Sequence, residues 1–62
     1  MDDLLKRLED AGFKYRYVMN VNDPHQITHV ATGRVWSRGR FVVGLAENLI
    51  EESQKPLDQQ RI

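Results

Sequence analysis

The sequence predicts an α+β fold: an αβββα two-layer sandwich with a three-stranded antiparallel meander and both helices on one face. Three observations lead there. Apolar residues recur at helical spacing near both ends of the chain, the period between them is two, and the transitions fall on residues with turn chemistry.

Leu4, Leu5, Leu8 and Ala11 form one apolar stripe of a first helix, with Lys6, Arg7, Glu9 and Asp10 on the wet side. Asp2 or Asp3 is expected as its cap, and Gly12 fits the left-handed position that ends many helices. From Phe13, the residues Phe13, Tyr15, Tyr17, Met19 and Val21 alternate with mostly polar ones, the pattern of a half-buried strand. Asn22-Asp23-Pro24 supplies a turn. A second strand is expected from Gln26 to Ala31, β-branched at Ile27, Thr28 and Val30. Thr32-Gly33 reads as a two-residue hairpin turn into a third strand, Arg34 to Ser37. The last helix carries Phe41, Val42, Leu45, Ala46, Leu49 and Ile50 on its stripe, with Ser37 as a candidate cap and Glu47, Glu51 and Glu52 on a solvated face. Pro56 cannot continue it. Residues 1–54 are therefore expected as a single domain, and the polar stretch 55–62 as a flexible tail.

At 62 residues the chain is near the lower limit for a self-supporting core. It has no cysteine, which excludes disulfides, thiolate metal sites and cysteine nucleophiles. Two histidines without well-placed carboxylates make no metal site, and no cofactor motif is present. The apolar runs are too short to span a bilayer and the acidic N-terminus is unlike a signal peptide, so a cytoplasmic protein is expected. Nine basic and nine acidic residues cancel, but they are segregated. Lys6 and Arg7 stand against Asp2, Asp3, Glu9 and Asp10 in residues 1–12. Lys14, Arg16, Arg34, Arg38 and Arg40 stand against Asp23 alone in residues 13–40. Lys55 and Arg61 stand against Glu47, Glu51, Glu52 and Asp58 in the remainder. A cationic middle between acidic ends gives one face a local sign that the sum conceals.

The α-β-β-β-α order, the Asp23-Pro24-His25 loop and the Ser37-Arg38-Gly39-Arg40 stretch resemble a shortened double-stranded-RNA-binding domain. That resemblance implies His25 reaching a minor groove, with Arg38 and Arg40 at the start of the second helix holding phosphates. Leu4 to Phe13 is also similar to the opening helix and glycine-aromatic exit of HicA-type toxins, which are mRNA endonucleases. Under that resemblance His25, at the start of the second strand, would be the catalytic residue. His29 shares a strand face with Ile27 and reads as an inward or edge histidine.

The residues support three functional expectations. The first is a small non-enzymatic regulatory or accessory protein, bacterial or phage-encoded in style, acting on a protein partner or as a homodimer through the sheet face away from the helices. Val18, Thr28, Val30 and Trp36 are its candidate contacts, although Trp36 reads first as a core or core-edge residue, because so small a domain needs its one tryptophan for buried area. The second is an RNA- or DNA-binding module using Lys14, Arg16, His25, Arg34, Arg38 and Arg40, with Trp36 available for base stacking if it faces outward. The third is the HicA-like endonuclease. Against any ligand role, Arg38 and Arg40 can instead pair with glutamates of the last helix or with Glu9 and Asp10.

Overall fold

The computed structural model describes residues 2–62, with side chains from residue 3 onward. Helix α1 (Asp2–Asp10) leads into strands β1 (Phe13–Tyr17), β2 (His25–His29) and β3 (Val35–Arg38), followed by helix α2 (Val43–Ser53) and a single 3-10 turn, Leu57–Gln59. The sheet is antiparallel in the order β1-β2-β3, with Phe13 opposite His29, Tyr15 opposite Ile27, and Ile27 opposite Trp36. This is the expected αβββα arrangement.

Because side chains alternate across a strand, the register puts Phe13, Tyr15, Tyr17, His25, Ile27, His29, Trp36 and Arg38 on one sheet face. The helices cover that face. Leu8, Phe13, Ile27, Ala46, Leu49 and Ile50 are buried together, flanked by Leu4, Leu5, Ala11, Tyr15, Trp36, Phe41 and Leu45. Phe13 and Leu8 are the largest fully buried side chains. Gly12 ends α1 with φ +93, a left-handed conformation that glycine adopts without strain, and this turns the chain straight into β1.

Several boundaries differ from the sequence expectation, each for a physical reason. Helix α1 includes Asp2 and Asp3 in its first turn, so Asp3 is not the cap; the side chain of Asp2 lies outside the described residues. Strand β1 stops at Tyr17, and Met19 and Val21 are exposed. The ladder closes where the Val18 N–H donates to the Pro24 carbonyl at 2.8 Å. Beyond it Pro24 has no N–H to return, and Asn20 turns the chain at φ +65. Strand β2 begins one residue early, at His25, and ends at His29. The hairpin to β3 spans Val30 to Gly33 rather than two residues: the Gly33 N–H donates to the His29 carbonyl, with Gly33 at φ +77, and the His29 N–H donates to the Arg34 carbonyl.

The largest shift is at α2. Ser37 pairs with Gln26 inside the sheet, so it cannot cap a helix, and β3 runs on to Arg38. Helix α2 starts at Val43 behind an extended Val42 that provides no side-chain cap. Phe41 and Val42 therefore precede the helix, although Phe41 still reaches the core. After Pro56 the chain folds back: the Gln60 side-chain amide donates to the carbonyls of Ser53 and Lys55 at 3.0 and 2.9 Å, and Ile62 packs on the core.

Candidate functional site

The face of the sheet turned away from the helices carries Lys14 and Arg16 from β1, Gln26 and Thr28 from β2, and Val35 and Ser37 from β3. Lys14, Arg16, Gln26, Thr28, Val30 and Val35 together line a shallow open depression on it. Its apolar content is small and β-branched: Thr28 is half-buried by its neighbours, whereas Val30 and Val35 are exposed. Val18, just past the end of β1, is half-buried. Of the expected partner contacts, Thr28 and Val30 lie together on this face.

Trp36 does not join them. It lies opposite Ile27 on the helix-covered face, edge-on to Phe13 with ring centroids 6.0 Å apart, and its outer side is covered by the Arg34 guanidinium 5.0 Å from the ring centroid. Val35 takes the open-face position instead. The open face consequently has no aromatic ring on which a base could stack.

The cations divide into two groups. Lys14 and Arg16 share the open face on β1. Arg34, Arg38 and Arg40 follow the β3 side: Arg34 over Trp36, Arg38 at the strand end, and Arg40 in the loop before α2. Arg38 and Arg40 precede the first residue of α2 by five and three positions, so they do not occupy its N-terminus as the sequence reading had them. Nor, among the described residues, do they pair with helix carboxylates. Among the described residues the only ion pair is Lys55–Glu52, at 3.0 Å. All five cations of the sheet layer are exposed and lack a carboxylate partner among the described residues. The Arg38 guanidinium donates to the Ser37 carbonyl at 2.7 Å, a bond within its own strand.

His25 sits at the uncovered end of the inner face. The Tyr15 hydroxyl and His25 Nδ1 are 2.7 Å apart, a hydrogen bond in which the hydroxyl donates whenever that nitrogen is unprotonated. Tyr17 and Phe41 approach the imidazole edge-on, with centroids 5.1 and 6.4 Å away, and Arg38 lies opposite across the strand pair. This aromatic end, with its exposed Tyr17, was not assembled by the sequence reading. The signal was available in the odd-numbered alternation of β1, but the register that brings His25 opposite Tyr17 was not. His29 lies against Phe13, centroids 5.0 Å apart, and its Nδ1 is 2.8 Å from the Thr32 hydroxyl, an inward-edge histidine with a local partner.

Among the described residues no helix is long and apolar enough to cross a membrane, and no cluster of three or more His, Cys, Asp or Glu could hold a metal ion. No protein-family model, no curated protein and no solved structure matches this chain.

Proposed function

We propose that this protein is a small regulatory or accessory module that binds an acidic protein partner through the sheet layer. The observation that carries this reading is the set of exposed cations without carboxylate partners among the described residues, beside a sheet face that no helix covers. Charges left unpaired in the monomer cost little while solvated, and they become attractive and orienting when an opposite potential arrives. Lys14 and Arg16 beside Thr28, Val30 and Val35 present the mixture a protein interface uses: a small apolar centre rimmed by charge of one sign.

A second reading, nucleic-acid binding, is favoured by one observation, the exposed Tyr17 beside His25 with Arg38 opposite. An exposed ring and a cation on the same sheet face are groups that a stacked base and its phosphate would use.

One experiment separates the two. Immobilised protein is expected to retain a stoichiometric partner through nuclease treatment and to lose it in the Lys14→Glu/Arg16→Glu double variant, with the variant's melting temperature within about 2 °C of the parent, as for exposed sites. Retention of labelled oligonucleotide instead, falling steeply between 50 and 200 mM salt, would replace the first reading with the second.

A further inference from the structure

We infer that the free edge of β1 accepts an extended segment of the partner as a fourth strand, and that this segment alternates apolar and acidic residues. The inference rests on the partner-binding reading above and specifies the partner's chemistry.

The direction of the backbone groups follows from two hydrogen bonds. The Val18 N–H donates to the Pro24 carbonyl, and the Val30 N–H donates to the Gly12 carbonyl. In an antiparallel ladder, bonded pairs alternate, so Gly12, Lys14, Arg16 and Val18 face β2, whereas Phe13, Tyr15 and Tyr17 turn their N–H and C=O groups outward. None of those outward groups has a hydrogen-bond partner among the described residues. The opposite edge is less available. On β3 the outward residues are Val35 and Ser37, and the Ser37 carbonyl is already taken by Arg38.

Side-chain alternation then sets what the incoming strand must carry. Residues opposite Lys14 and Arg16 project onto the open face, where carboxylates meet two unpaired cations. Residues opposite Phe13, Tyr15 and Tyr17 project toward the aromatic side, where Tyr15 is half-buried and Tyr17 is exposed, so apolar side chains fit. The crevice at the start of the edge is bordered by Glu9, which keeps acidic residues off that end of the segment. A second copy of this chain is a poor occupant. Antiparallel pairing of two β1 edges would set Lys14 and Arg16 against their own kind, a like-charge arrangement that natural edges use to prevent self-association. Strand addition supplies affinity through backbone bonds and selectivity through alternate side chains.

The probe is an end-blocked Thr-Val-Glu-Val-Glu-Val-Thr peptide titrated into isotope-labelled full-length protein. Amide exchange at Phe13, Tyr15 and Tyr17 is expected to slow at least tenfold at saturation. Lys14→Glu/Arg16→Glu is expected to weaken the peptide at least tenfold and to acquire binding of the Thr-Val-Lys-Val-Lys-Val-Thr analogue. Peptide binding that perturbs Thr28, Val30 and Val35 without slowing the three β1 amides would overturn the edge inference while leaving the partner reading intact. No binding of this peptide at millimolar concentration also overturns the edge inference; the partner reading is then judged separately, by loss of the nuclease-resistant partner in the capture experiment.

Discussion

Gly12 and Phe13 show how much of this molecule depends on single positions. Gly12 takes φ +93, and a Cβ built there would meet no atom within 4 Å, so substitution tests backbone conformation without steric complication. Gly12→Ala is expected to destabilise the fold by about 1 kcal/mol, read as a lower urea midpoint at unchanged slope. A midpoint equal to the parent's would show that the left-handed turn costs nothing here. Phe13, the next residue, is almost entirely buried and touches both His29 and Trp36. One residue frees the chain to turn and the other anchors it to the core. Both were legible in the sequence, because a glycine after a helical stripe and an aromatic opening a period-two run are local signals.

At the scale of elements, legibility ended where local signals met pairing. The alternation of Met19 and Val21 reads as strand, yet strand requires a partner, and Pro24 ends the partner's ladder. The stripe of α2 was correct at Leu45, Ala46, Leu49 and Ile50, but Phe41 and Val42 occupy an extended approach, because Ser37 and Arg38 are held in β3. An apolar residue contributes to a core from either conformation, so the stripe alone cannot date the start of the helix. This displaced Arg38 and Arg40 from a helix terminus. Similarly, the hairpin takes four residues where the sequence predicts two, which moves the strand partner of Trp36 from His29 to Ile27 while leaving it on the same sheet face. The last segment supports a direct test. Ending the chain at Lys55 removes Ile62 from the core and both carbonyl contacts of Gln60. We expect this to cost about 1–2 kcal/mol, lowering the melting temperature by roughly 4–8 °C or more. An unchanged melting temperature would identify residues 56–62 as an energetically silent tail.

At the scale of the whole molecule, the two layers differ in sign: seven of the nine carboxylates lie in α1 and α2, whereas five of the nine Lys and Arg residues lie in the sheet layer. The accessible surface is 4643 Å², against about 4,200 Å² expected for a compact chain of this size. The bare sheet face and the unpaired edge of β1 are the surfaces to which a partner is assigned above. The strand order has a further, kinetic consequence. Each strand lies beside its immediate predecessor in the chain, so the loops to be closed during folding are short, and most native contacts are available before any distant search. The docking of α2 against α1, and the packing of Phe41 and Ile62 onto the core, join more remote segments. Refolding is therefore expected within about milliseconds, led by the meander. In stopped-flow measurements Ile27→Val should chiefly slow refolding and Ile50→Val chiefly hasten unfolding; the reverse assignment would mean that the two helices meet first. On this route the strand margins are assembled early, and the rate at which the molecule becomes competent to receive an added strand is set by hairpin closure.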